Sequence, residues 1–261
     1  MNIIKDELET IRIEIADSFI DPIPTRAILD FVSTGSKFIR STLAILYLKS
    51  QNIEISQDII KILVAGEIIH NASLLHDDVL DEADTRRGKT VIAKKISPKV
   101  SILAGDFLIS NAIEKLLEIN NFVIIKIFKD CTKIMAEAEI KQYFLRGIIP
   151  SQDDYIKICL GKTAKLFSAI LESCANLTNI SQEQAETFGQ YFGVCFQIKN
   201  DLSESSMLAD KKNEISTAKD ILGIEKTKIL LDNYKEEMRK LIKDFPENVY
   251  KNRLEDLINS L

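Results

Sequence analysis

Ile59-Ile60-Lys61-Ile62-Leu63-Val64-Ala65-Gly66-Glu67-Ile68-Ile69 continues through His70-Asn71-Ala72-Ser73-Leu74-Leu75-His76 to Asp77-Asp78-Val79-Leu80-Asp81. Up to the aspartates, apolar residues fall nearly all round a helix of period 3.6, the pattern of a helix buried on every side. Ser56 stands where an N-cap belongs, so a central helix is predicted over 56–82 with the aspartates at its C-terminal end. On such a helix Asp77 and Asp81 lie one turn apart on one face, with Asp78 beside them. Three carboxylates this close repel one another unless a cation neutralises them. All-oxygen donors suit a hard ion such as Mg²⁺, which takes one or two carboxylates and leaves its other positions to water and phosphate. Arg86 and Arg87 then offer forked donors that match phosphate oxygens. The stretch therefore points to a Mg²⁺–diphosphate site, the plainer alternative being a solvated carboxylate cluster at a helix end.

Outward from that helix the chain reads as all-α. It has 261 residues, 46% hydrophobic, with no Trp, nine Gly and five Pro, so breakers are few and long stretches run uninterrupted. Helical periodicity predicts segments near 2–18, 23–33, 37–50, 56–82, 98–118, 121–145, 152–176, 181–205, 225–243 and 247–260. Ser181-Gln182-Glu183-Gln184 has the spacing of a capping box, and Pro98 and Pro150 lie between helices. No repeat or linker divides the chain, which is expected to be one domain over 1–261. A net charge of −5 argues against nucleic acid as a partner. Cys131, Cys159, Cys174 and Cys195 are widely spaced and read as reduced, buried thiols of a cytoplasmic protein. The first residues, Met1 to Glu7, are amphipathic and acidic, unlike a signal peptide, and no apolar run is expected to reach bilayer-spanning length. The polar stretch near 205–218 is expected to be a mobile lid.

Glu67 to Asp81, running into Arg86-Arg87-Gly88-Lys89, resembles the first aspartate-rich region of trans-polyprenyl diphosphate synthases, most closely the long-chain, octaprenyl-type members. Gly35-Ser36-Lys37-Phe38-Ile39-Arg40-Ser41 is similar to that family's GGKRLRP, and Ala104-Gly105-Asp106-Phe107-Leu108 to its GD segment. Gly161-Lys162-Thr163-Ala164 matches its GKTA, Phe196-Gln197 opens its second aspartate-rich helix, and Lys219-Asp220 with Glu225-Lys226-Thr227 resembles the basic loop that follows. The resemblance implies a single bundle of about ten mostly antiparallel helices around a central apolar cavity. It also implies condensation of isopentenyl diphosphate with an allylic diphosphate, helped by up to three Mg²⁺ ions, in a homodimer. Carried over position by position, Asp77 and Asp81 should bind Mg²⁺ with Asp78 in support. Arg86, Lys162 and Lys219 should meet the allylic diphosphate, with Thr163 and Gln197 near the reacting carbons. Lys37, Arg40, His70 and Arg87 should hold isopentenyl diphosphate, with Lys226 a further substrate contact. Lys37 and Arg40, three apart, are expected on one helical face. His76 is expected to pack or hydrogen-bond, and Lys89, Lys165 and Lys199 to be secondary charges.

The second aspartate-rich motif departs from DDxxD, reading Asn200-Asp201-Leu202-Ser203-Glu204. Asn200, Asp201 and Glu204 remain candidate metal ligands, but an amide at 200 brings no charge. Two readings follow: an active enzyme with an altered metal requirement, or a non-catalytic or weakly active partner subunit of a prenyl synthase. A class I terpene cyclase would need Ser or Thr at 204 and Glu at 208, where this chain has Glu204 and Leu208. Product length should depend on Ser73 and Ala72 one turn back from Asp77 and on Ile69 two turns back, with Tyr143 and Phe144 as floor candidates or core aromatics. Small Ala72 leaves the tunnel open; at about 5.4 Å of tunnel per isoprene unit, a product of roughly C30 to C40 is expected. A product this apolar implies transient membrane contact on release.

Overall fold

The 56–82 stretch folds as one helix because its start is capped and its sides are apolar. The computed structural model describes residues 2–18, 28, 31, 37–203 and 213–261. Helices α1 (Lys5–Asp17), α2 (Ile39–Ser50) and α3 (Gln57–Leu80) are followed by a hairpin, β1 (Thr85–Arg86) and β2 (Lys89–Thr90). Next come α4 (Ile92–Lys95), α5 (Pro98–Leu117), α6 (Phe122–Phe144), α7 (Gln152–Ile158), a π-helical segment (Cys159–Ala164) and α8 (Lys165–Asn176). The chain closes with α9 (Gln182–Leu202), α10 (Ala218–Leu222), α11 (Ile224–Ile242) and α12 (Val249–Asn259). The protein is all-α, the two-residue strands of the hairpin being the only sheet among the described residues.

Packing divides the chain into two compact units, Met1–Ile45 with Glu54–Ile125, and Leu46–Ile53 with Lys126–Leu261. In the first unit, Ser56 Oγ accepts the Ile59 amide at 3.3 Å and starts α3, whose main packing partner is α5. Ile59, Ile62, Leu63, Val64, Ile68, Ala72 and Leu75 are all at most 1% exposed. Each fully buried Leu or Ile contributes about 1.5–3 kcal/mol, which makes α3 the backbone of that unit's core. Contrary to expectation, α3 is long and apolar enough to cross a bilayer; 72% of its apolar window is buried inside the protein, so it is a core helix. Pro98 occupies the first turn of α5, where its missing N–H costs nothing.

In the second unit α9 lies against α8, α11 and the π-helical segment. The approach is close enough to require Gly193, where a Cβ would stand 2.3 Å from Ala164 Cα. Phe167 stacks obliquely on Phe192 and Phe196, with centroids 5.2 and 5.7 Å apart. Ser181 Oγ caps α9 through the Gln184 amide, but the Gln184 side chain donates to the Leu241 carbonyl instead of closing the capping box.

Several expectations are corrected. The helix predicted over 152–176 is present from Gln152 to Asn176, and its unforeseen feature is a π turn, Cys159–Ala164, between α7 and α8. Tyr143 and Phe144 are 49% and 76% exposed at the end of α6, so neither is a core aromatic or a floor. Most of the predicted 23–33 helix and residues 205–212 of the predicted lid lie outside the described residues. The remainder of that lid is fastened: Glu214 O accepts the Gly147 amide at 2.9 Å, and Ser216 Oγ donates to Ile148 O at 3.2 Å.

Candidate active site

In the first unit the C-terminal end of α3 carries the acidic cluster. Asp77 and Asp81 are half-buried, whereas Asp78 is fully buried. Arg86 Nε donates to Asp78 Oδ1 at 2.7 Å, while the buried Oδ2 has no hydrogen-bond partner. Burial pushes the Asp78 carboxyl up, and Arg86 opposes that shift. Among the described residues no three His, Cys, Asp or Glu side chains are arranged as a ready-made metal cage. Two half-buried carboxylates, with a third turned to an arginine, still fit a Mg²⁺ ion that draws its other ligands from water and phosphate.

Arg86 and Arg87 are presented by the hairpin, paired Thr85 to Thr90 and Arg86 to Lys89. Its two-residue loop, Arg87-Gly88, has φ of 53° and 76°, the left-handed geometry that matches strand twist. Gly88 adopts it freely, but Arg87 does so at a cost of about 1–3 kcal/mol, a strain typical of functional positions. His70, about two turns back along α3 from Asp77, is partly buried. Its imidazole is pushed well below its usual range, first by loss of solvent and then by the charges of Arg40, Arg87 and Arg86. Three guanidinium groups thus act on one neutral histidine. Ser73 Oγ donates to the His70 carbonyl at 2.8 Å, and Ile69 and Ala72 are buried.

Glu67 is the residue that sequence reading missed. It is 1% exposed, and its Oε1 accepts the Ser41 amide at 3.1 Å and the Ser41 hydroxyl at 2.8 Å. Burial pushes this carboxyl up, and Arg40 is the strongest opposing influence. In sequence Glu67 only opened the stretch that resembles the family's first aspartate-rich region, and Ser41 stands where the family motif has proline; their pairing gives both a purpose. Lys37 corrects another expectation. Helix α2 begins at Ile39, and Phe38 has φ of 46°, so exposed Lys37 does not share a helical face with Arg40. Arg12 of α1 covers the Phe38 ring at 5.5 Å. Gly35 and Ser36 lie outside the described residues. His76 packs and bonds as expected: its ring lies over Gly105, with Nε2 3.3 Å from Ile102 O and 3.4 Å from Asp106 Oδ1.

In the second unit the π turn displays Lys162 and Thr163. Lys162 Nζ donates to Gln142 Oε1 at 2.7 Å and pairs with Glu139 at 2.5 Å. Thr163 Oγ1 donates to Gln197 Oε1 at 2.8 Å, and Gln197 Nε2 donates to Asp201 Oδ1 at 2.7 Å. Asp201 Oδ2 accepts from Tyr155 Oη at 2.8 Å and from the Ala218 amide at 2.9 Å. Asn200 is half-buried beside it, and Glu204 lies outside the described residues. Half-buried Lys219 sits on α10, whose start is a capping box of Thr217 and Asp220. Lys226 is exposed on α11, while Thr227 turns inward and donates to Gly223 O at 2.7 Å. Lys165 pairs with Glu186 at 3.2 Å.

Within the first unit, the guanidinium donors of Arg86 and Arg87 can bind a polyanion next to carboxylates able to hold a hard cation. None is an activated nucleophile: Cys159, Cys174 and Cys195 are buried thiols pushed up chiefly by burial.

The profile of the family described as polyprenyl synthetase matches residues 22–258. The octaprenyl diphosphate synthase of Haemophilus influenzae is 32% identical over 179 residues, covering 67% of this chain and 54% of that protein. A prenyl transferase of Porphyra purpurea is 34% identical over 189 residues, covering 69% and 58%. The chain spans about half the length of the curated relatives it matches. Among solved structures, a decaprenyl diphosphate synthase from Rhodobacter capsulatus superposes with a TM-score of 0.90 at 20% identity, covering 99% of this chain and 96% of that one. A geranyltranstransferase from Thermotoga maritima gives 0.83 at 27% identity, covering 98% and 95%.

Proposed function

The chain belongs to the polyprenyl synthetase family, and on that premise we propose that it condenses isopentenyl diphosphate with an allylic diphosphate into a long trans-polyprenyl diphosphate. The observation that carries the reading is the action of Arg40, Arg87 and Arg86 on a neutral His70, about two turns from Asp77 and three from Asp81. Asp77 and Asp81 would hold Mg²⁺, with Asn200 and Glu204 weaker candidates; bound Mg²⁺ would neutralise diphosphate charge. Lys37, Arg40 and Arg87 grip the diphosphate of isopentenyl diphosphate, and His70, uncharged, donates or accepts a hydrogen bond without repelling the arginines. Arg86, oriented by Asp78, Lys162 and Lys219 stabilise the charge that gathers on the allylic diphosphate as its C–O bond breaks. The isopentenyl double bond then forms the new C–C bond, and loss of a proton restores neutrality. Thr163 and Gln197 line the reacting carbons, and Lys226 is at most an outer contact.

Glu139 and Gln142 hold the Lys162 ammonium before substrate arrives, so diphosphate binding exchanges one set of acceptors for another. Ile102, Leu103, Phe107, Ile113 and Leu117 form an exposed apolar row on α5, which supports a homodimer. Cytoplasmic location, with brief membrane contact as the apolar product leaves, accords with four buried thiols. The test is release of inorganic diphosphate when both substrates and Mg²⁺ are supplied. Asp77→Asn and Asp81→Asn should each lower it by about 10²–10³-fold; unchanged release in both variants contradicts the assignment.

A further inference from the structure

The second aspartate-rich motif in this chain keeps Asp201 but has Asn200 before it. Asp201 is 3% exposed, with three donors on its carboxylate: the Gln197 side-chain amide on Oδ1, and the Tyr155 hydroxyl and the Ala218 backbone amide on Oδ2. A carboxylate offers about four lone-pair directions, so three are taken. Mg²⁺ demands near-ideal octahedral geometry, which Asp201 could meet only by giving up a bond that leaves a buried donor orphaned. These three bonds also join separate elements: Tyr155 belongs to α7, Gln197 to α9, and Ala218, seventeen residues downstream of Asp201, opens α10.

We propose that Asp201 is a positioning residue, a clasp that fixes the Gln197 amide and the first turn of α10, and not a ligand to the metal. Through Gln197 it sets which way the amide is turned: with Nε2 committed to Asp201, Oε1 faces the Thr163 hydroxyl. Through the Ala218 amide it fixes the backbone one residue before Lys219. Tyr155, 5% exposed, is held against the same carboxylate, and its hydroxyl is pushed up by burial and by its acidic neighbours. The clasp rests on the proposed function only for what Lys219, Thr163 and Gln197 then do.

Hydrogen exchange at the Ala218 amide tests the clasp without reference to turnover. In Asp201→Ala this amide should exchange at least about tenfold faster than in the wild-type chain, while Asn200→Ala leaves it unchanged. Affinity for Mn²⁺ as a spectroscopic probe, in the presence of inorganic diphosphate, should stay within about twofold in Asp201→Ala. Should Asp201→Ala fail to fold, Tyr155→Phe retains the carboxylate and should still speed Ala218 exchange several-fold with Mn²⁺ affinity unmoved. Unchanged Ala218 exchange in the folded variant overturns the proposal. A tenfold or greater loss of Mn²⁺ affinity in Asp201→Ala does so as well, by making Asp201 a ligand.

Discussion

Ser41 gives the buried Glu67 carboxyl two donors, its amide and its hydroxyl. Ser41→Ala should therefore lower unfolding free energy by about 1–3 kcal/mol in a denaturant titration, since a fully buried acceptor loses its hydroxyl donor. Ser41→Pro, which installs the residue of the family motif, removes the amide donor too and should cost more. Equal stability in all three chains would mean that Glu67 is satisfied in another way. His70 makes a second prediction at this scale. Its folded pKa is pushed well below the ordinary value, so beneath about pH 6.5 the unfolded chain binds a proton that the folded chain refuses. Stability should then fall with decreasing pH, by up to about 1.4 kcal/mol per unit from this group alone. His70→Gln should remove that slope, and superimposable pH profiles would contradict the desolvated setting acted on by Arg40, Arg87 and Arg86. The aspartates and paired arginines were legible in sequence because acidic spacing on a helix states its chemistry directly. Glu67 was not, because its partner Ser41 stands 26 residues away and nothing local pairs them.

Helix α3 was the most legible element: its apolar surround and the Ser56 cap fixed its existence, and its end moved by only two residues. The π turn over Cys159–Ala164 was illegible, since one extra residue in a turn leaves the apolar pattern on either side intact. Its position is functional in consequence, because it turns Lys162 toward Glu139 and Thr163 toward Gln197. Tyr143 and Phe144 misled because an aromatic near a helix end looks the same whether it points inward or outward; here Arg146 lies over the exposed Tyr143 ring at 4.8 Å. The tunnel proposal belongs to α3 itself. Ala72→Phe should shorten the product by several isoprene units while the melting temperature confirms a folded chain. An unchanged product from a folded variant would remove α3 from the wall that sets chain length. Loss of fold would show instead that Ala72 abuts packed core, where overpacking costs about 1–3 kcal/mol.

For the molecule as a whole, the scarcity of Gly and Pro and the long apolar periods made an all-α protein readable from composition. The boundary between its two compact units was not readable, because it falls inside α2 and α6, where the helical pattern runs on without a break. Net charge of −5 concealed a local arrangement in which cations gather around one histidine. Asn200, an amide where the family's motif has a carboxylate, is the point on which active synthase and partner subunit separate. The decisive measurement is to incubate the purified chain alone with Mg²⁺, labelled isopentenyl diphosphate and farnesyl diphosphate, and to size the extracted products beside those of Asn200→Asp. The account predicts a ladder ending at one long polyprenyl diphosphate from the wild-type chain, formed at lower Mg²⁺ by Asn200→Asp. No incorporation by either chain, at any Mg²⁺ concentration and with other allylic primers, would contradict it.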